Sequence, residues 1–271
     1  MYELITDLSY DLYRTHEYKL SIGVSLDGFS FSVIHPGENK LIALGNFPLT
    51  VSSEIFLGRR FNEWYDNHDI LKRSYSEILL LYNSDKFTIV PGEYYLYDRQ
   101  NEAGNFIFGK KDGYSWRDNY LPYAESNLIF RIPDSFIEVS EQIFPDIRVV
   151  HPLSILIKKA EALSESENPL ILLFSKENFS VILYLKGKLQ FINNFSYAHA
   201  NDVVYYLTSL SNKLNFSYNN VKILITGDID HDSEPYNILK EYFPGSAFLI
   251  PELSYNKDIF KESMHRFLTL C

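Results

Sequence analysis

The run most suggestive of a ligand site is Asp228-Ile229-Asp230-His231-Asp232-Ser233-Glu234, whose acids alternate as they do at the start of a calcium loop. Such a loop needs glycine at its sixth position and a bidentate glutamate at its twelfth. Here those positions hold Ser233 and Leu239. Helix capping by Asp232 and favourable placement of Glu234 in a first turn explain the same residues without a metal. No metal site is therefore expected. The seven histidines, His16, His35, His68, His151, His199, His231 and His265, show neither HxH nor HxxxH spacing, and Cys271 is the only cysteine. No disulfide can form within the chain, and a terminal thiol reads as inert. A nucleophile elbow and a GxxxxGK[ST] phosphate loop are both absent, so no catalytic residue is assigned.

Two small-residue turns remain, each at the end of an apolar run. Asp27-Gly28 follows KLSIGVSL, and Thr226-Gly227 closes VKILITG. Glycine at such places supplies either a tight turn or close access to a backbone N–H.

The elements that would position these residues repeat along the chain. Residues 19–48 read as three strands with turns at Asp27-Gly28 and Pro36-Gly37, and residues 169–195, PLILLFSKENFSVILYLKGKLQFINNF, read the same way. Ile22, Val24 and Leu26 alternate with Ser21, Gly23 and Ser25, as on a half-buried strand. Residues 1–17 suit an edge strand or a lead-in loop. A helix, broken in places, is expected over 52–73, then strands on either side of Asn83-Ser84-Asp85. Residues 98–126 are the least periodic and suggest a loop-rich insertion. Regular pattern resumes with strand NLIFRIP, a helix from Asp134, strand DIRVVHP and a helix over 154–163. The polar link SESENP sets a boundary, giving domains 1–163 and 164–271. After the second triple strand come a helix over 198–214, strand VKILITG, a helix over 232–243, a short strand SAFLIP and a helix over 257–270.

Composition narrows the function classes. A net charge of −10 opposes broad binding to nucleic acid, which depends on Lys and Arg displacing counterions. No apolar run reaches the ~18 residues of a membrane span. The acidic opening MYELITDLSYDLYR is unlike a secretory signal, so the cytoplasm is the expected location. With 21 Tyr and 20 Phe, aromatic content is high. That excess fits either contact surfaces or compositional bias.

A three-strand meander followed by α-β-α, present twice, resembles the actin-like ATPase fold, two ribonuclease-H-like lobes sharing a cleft. The segment NLIFRIPDSFIEVSEQIFPDIRVVHPLSILIKKAEAL looks like the one with which the actin-like proteins of pilus-assembly and secretion platforms close their first lobe. More narrowly, the chain resembles a bacterial family of unknown function assigned to this fold. The resemblance implies an α/β protein with a mixed sheet in each lobe and a nucleotide site built from three motifs. In the first, I-D-x-G-[ST], the matching residues are Val24, Ser25, Leu26, Asp27 and Gly28, so serine replaces the acid. In the second, D-x-G-x-x-T, Leu173, Ser175 and Asn178 stand for the acid, the glycine and the hydroxyl residue. The adenosine-side Thr-Gly-Gly keeps Thr226 and Gly227 and replaces its last glycine by Asp228. A ribonuclease-type carboxylate cluster is absent as well.

The expectation is a non-catalytic actin-like protein with a degenerate nucleotide site and no cofactor, serving as an interaction or assembly scaffold. The alternative is ATP binding with magnesium through the displaced residues Ser25, Asp27, Gly28, Ser175, Lys176, Thr226 and Gly227. A partner surface is expected where Tyr94, Tyr95, Tyr97, Trp116, Tyr120 and Tyr123 cluster in sequence, although core packing would account for some of them equally well.

Overall fold

The computed structural model describes residues 3–122, 124–261 and 263–271. Two units emerge, one of Met1–Ser154, Glu252–Glu262 and Leu270–Cys271, the other of Ile155–Pro251 and Ser263–Thr269. The division falls within the helix Pro152–Ser164 and not at the polar link after it. Polarity at SESENP marks an exposed turn, whereas the division follows the core that a helix serves, and the buried Leu156, Ile157 and Ala160 go with the second unit.

In chain order the first unit comprises β1 (Glu3–Thr6), β2 (Lys19–Ser25), β3 (Gly28–His35), β4 (Lys40–Pro48), α1 (Leu57–Asp66), β5 (Glu77–Tyr82), β6 (Phe87–Pro91), α2 (Gln100–Phe108), β7 (Tyr114–Leu121), β8 (Ser126–Pro133), α3 (Asp134–Ile143), β9 (Arg148–Val150) and the start of α4 (Pro152–Ser164). Its main sheet has the order β1-β4-β3-β2-β5-β9. Strands β1 to β4 pair antiparallel, and β5 and β9 join parallel. The expected alternation holds from Ile22 to Ser25, with Ile22 and Val24 buried, Gly23 half-buried and Ser25 exposed, but Ser21 is buried as well and Leu26, in the turn, is exposed. Around α1 the predicted broken helix is present, flanked by 3-10 turns at Glu54–Phe56 and Asp69–Lys72. A Cβ on Gly58 would lie 2.6 Å from the Ser135 carbonyl oxygen, so glycine lets α1 approach α3.

Residues 98–126, expected to be loop-rich, contain α2 and the whole of β7. Together with β6 and β8 they form a second, antiparallel sheet of order β6-β8-β7. Periodicity fails here because α2 is short and carries Gly104 in its middle, where a Cβ would stand 2.1 Å from the Trp116 ring.

The second unit contains β10 (Pro169–Phe174), β11 (Asn178–Leu185), β12 (Lys188–Ser196), α5 (Ala200–Leu214), β13 (Lys222–Gly227), α6 (Glu234–Tyr242) and β14 (Ala247–Phe248), in the sheet order β12-β11-β10-β13-β14. One face of this sheet packs Leu170, Leu172, Phe179 and Val181 with Val203, Leu207 and Leu210 of α5. Instead of a helix over 257–270, the chain forms a 3-10 turn at Met264–Leu270. Its apolar residues divide between the two units and do not form one amphipathic face.

The repeat is close in detail. β2 and β10 match at a constant offset of 150, Lys19 with Pro169 and Val24 with Phe174, each pairing with a parallel strand over the same span. Each following hairpin also shifts register at the same place, between Val33 and Ile34 in one and between Leu183 and Tyr184 in the other.

Candidate functional site

In the first unit the turn after β2 is made by Leu26 and Asp27, with Gly28 opening β3 opposite Ser25. The expected Asp27-Gly28 turn is thus one residue late. Ser25 Oγ accepts from the Asp27 N–H at 3.1 Å and closes the turn. The carbonyls of Leu26 and Asp27 accept from Val51 and Leu49, in the chain leaving β4. Gly28 has φ 138°, and a Cβ there would stand 2.3 Å from the Phe47 carbonyl oxygen. Close packing against β4 accounts for this glycine.

In the second unit, Ser175 to Glu177 make the corresponding turn. The Ser175 N–H donates to the Asn178 carbonyl, and the Tyr197 hydroxyl lies 3.4 Å from the carbonyl oxygens of Ser175 and Lys176. Asn178 Oδ1 accepts from Ser196. Leu173 is buried in β10, paired with Ser180 on one side and Thr226 on the other. By the constant offset, Ser175 is level with Ser25, and Leu173 is level with Gly23. The two sequence-matched acid positions, Ser25 and Leu173, are therefore two residues out of step with each other. Neither register provides a carboxylate, since one gives Ser25 with Ser175 and the other Gly23 with Leu173.

Thr226 and Gly227 end β13. Thr226 is 1% exposed, and its hydroxyl donates to the His265 carbonyl at 2.5 Å. Gly227 has φ 91°, and an added Cβ would stand 2.2 Å from the Phe174 carbonyl oxygen, which itself accepts from the Asp228 N–H. This glycine lets the ends of β10 and β13 meet.

The acidic run beyond β13 is drawn to a cation of the chain itself. The Arg266 guanidinium lies 2.5 Å from Asp230 and 3.4 Å from Asp228. Ser233, not Asp232, caps α6, accepting from the Tyr236 N–H at 3.4 Å. The imidazole of His265 donates through Nε2–H to the Ile229 carbonyl and stacks on Phe248. Burial lowers the His265 pKa, in keeping with a neutral ring. Burial also raises the Tyr197 pKa, with Asp228 adding to the effect. Among the described residues no group of three His, Cys, Asp or Glu is arranged to hold a metal ion. Arg266 and His265 were not legible as partners of this loop, because 36 residues separate each from its contact. The sequence reading puts the cap at Asp232; the signal that marks Ser233 instead is its place directly before Glu234-Pro235, with proline in the first turn.

Of the expected partner residues, Trp116 is buried, its indole N–H bonded to Asn105 and its backbone N–H to Asn101. It anchors α2 and is not a contact surface. Tyr95 is half-buried, while Tyr94, Tyr97 and Tyr120 are exposed, as are Leu96, Phe106 and Ile107. Tyr123 lies outside the described residues. Burial pushes the Cys271 thiol up to about 12, which keeps it protonated.

Two duplicated five-strand arrangements with matched register faults set this chain beside other proteins. A family model, described as a protein of unknown function (DUF3822), matches residues 7–245. The chain belongs to that family. Among solved structures, this DUF3822 chain is similar to a Bacteroides thetaiotaomicron protein described as having an actin-like ATPase fold and unknown function. The two are 22% identical with a TM-score of 0.78, over 97% of this chain and 99% of that one. A second likeness is to the PilM-PilN type IV pilus biogenesis complex, at 11% identity and TM-score 0.60, over 93% of this chain and 96% of that chain. The fold is that of the actin-like ATPases. No curated protein matches the chain. Among the described residues, no helix is long and apolar enough to cross a membrane.

Proposed function

We propose that this DUF3822 protein is a non-catalytic actin-like scaffold, an interaction or assembly protein whose nucleotide site is degenerate. The observation that carries the reading is the state of the two equivalent turns after β2 and β10. Neither has a carboxylate at the end of its strand, in either register of the repeat. Magnesium-dependent hydrolysis on such a frame needs charge to hold the metal and free N–H groups to receive phosphate. Here the Asp27 and Ser175 N–H groups serve the turns themselves, and the Thr226 hydroxyl is bonded inside its unit.

The likeness to the PilM-PilN complex agrees with a role in assembly, since its description is of a protein bound to a partner. We assign partner contact to the exposed apolar groups Tyr94, Leu96, Tyr97, Phe106, Ile107 and Tyr120. Trp116 is excluded from it.

Titration calorimetry with ATP and magnesium tests the reading. The expected result is no binding heat at protein concentrations that would reveal micromolar affinity. Micromolar binding that is lost in Asp27→Ala and Lys176→Ala would overturn it. Gly227→Val is unsuited to this purpose, because its side chain would collide with the Phe174 backbone whether or not a nucleotide binds.

A further inference from the structure

The two sheets differ in one respect. In the first unit β1 lies along the outer edge of β4, with Ile5 opposite Leu44 and Glu3 opposite Asn46. In the second unit the strand equivalent to β4 is β12, and among the described residues it pairs only with β11. The equivalence holds residue by residue. Leu44 and Ile192 are each fifth in a nine-residue strand, Asn46 and Asn194 each seventh, and the register fault precedes both.

Hydrogen-bond alternation fixes which groups face outward. The Tyr197 N–H donates to the Glu177 carbonyl, and bonded pairs recur at every second residue of an antiparallel ladder. Phe195, Asn193 and Phe191 therefore bond to β11, and Ser196, Asn194 and Ile192 turn their N–H and C=O away from it. On β4 the counterparts of Ile192 and Asn194 are the residues that β1 engages.

Edge strands are ordinarily protected by charge, proline, a bulge or a cover. From Phe191 to Ser196 the sequence FINNFS has neither charge nor proline, and the register fault is confined to the start of the strand. Beside the edge stands an aromatic platform on α5, where Tyr206 stacks on Phe195 with ring centroids 4.5 Å apart and Tyr205, 68% exposed, meets Tyr206 edge-on. At the other end of the strand, Lys186 in the turn from β11 and Lys188, the first residue of β12, are both exposed and without an ion-pair partner among the described residues.

We propose that β12 is a docking edge for an extended segment of a partner protein, which adds antiparallel to it as β1 adds to β4. An antiparallel addition brings the C-terminal end of the incoming strand beside Lys186 and Lys188, so the segment carries acidic groups there. Residues level with Phe195 meet Tyr205 and Tyr206, so the opposite end carries an apolar or aromatic side chain. Main-chain hydrogen bonds give the affinity in this mode, and the flanking side chains give the direction and selectivity. The inference rests on the scaffold reading above, but nucleotide binding would overturn only that reading, whereas the following experiment addresses only the edge.

The full chain is used to select binders from a displayed library of random dodecapeptides, and the selected peptides are then synthesised. The expected sequences alternate apolar with polar residues and end in acids, and on binding they slow hydrogen exchange at Ile192, Asn194 and Ser196. Asn194→Pro removes an outward N–H that β11 does not use, and should weaken binding at least tenfold. Lys188→Glu, at the exposed start of β12, should reverse the preference between peptides ending in aspartate and in lysine while leaving the melting temperature unchanged. Absence of binders, protection outside residues 188–196, or unaltered charge preference would overturn the proposal. Self-association abolished by Asn194→Pro would also overturn it, in favour of a second copy of this chain.

Discussion

His151 is fully enclosed, its ring edge-on to Phe130 and its Nε2 3.0 Å from the Ser84 carbonyl, while Nδ1 accepts from the Leu153 N–H. That pattern fixes one neutral tautomer, with the proton on Nε2. Burial holds its pKa at about 4, well below the usual value of 6.5. Between these two values the unfolded chain takes up a proton that the folded chain does not, so the contribution is whole above pH 6.5 and is lost as pH falls towards 4. The expected slope is up to about 1.4 kcal/mol per pH unit in that window. Urea unfolding from pH 7 to pH 4, followed in the wild type and in His151→Phe, checks it, and the variant should show the shallower dependence. Gly227 is a second residue whose role is now defined. Gly227→Ala should destabilise the second unit by about 2 kcal/mol or more, through both positive φ and collision with the Phe174 backbone, read as a lower denaturation midpoint.

Between elements, helices and strands meet closely where glycine allows it. Gly104 lies against Trp116, whose indole also stacks on Phe108 and donates to Asn105, so α2 is fastened to β7 by one side chain. Gly104→Ala inserts a methyl group where no space exists and should cost about 1–3 kcal/mol. Loss of the Trp116 near-ultraviolet dichroism at lower denaturant than in the wild type is the expected reading. The same junction explains why residues 98–126 read as a loop. A nine-residue helix with glycine in its middle shows little periodicity, and its stability comes from a partner that lies 12 positions further on in the sequence. Conversely, the triple strands were legible because each is set by local alternation and turn chemistry. The hairpin at Leu26-Asp27 was placed one residue late, since Gly28 serves the approach of β4, a contact 19 residues away.

For the whole molecule, the charge of −10 bears on partners more than on fold. A fluorescently labelled 30-mer of single-stranded DNA should show no change in polarisation with micromolar protein at 0.15 M salt, for want of phosphate-neutralising cations. The duplicated actin-like architecture was determined by the sequence itself, because strand alternation, turn residues and element order are local properties that recur in both halves. The absence of an acid from the motif-matched positions was also written there. Only the tertiary structure decided that Ser25 and Ser175 are equivalent, that Arg266 engages Asp228 and Asp230, that Trp116 is core, and that β12 lacks the strand its counterpart has. Each of these depends on pairing between residues far apart in the chain, and such pairing is selected by the packing of whole sheets, which no local pattern encodes.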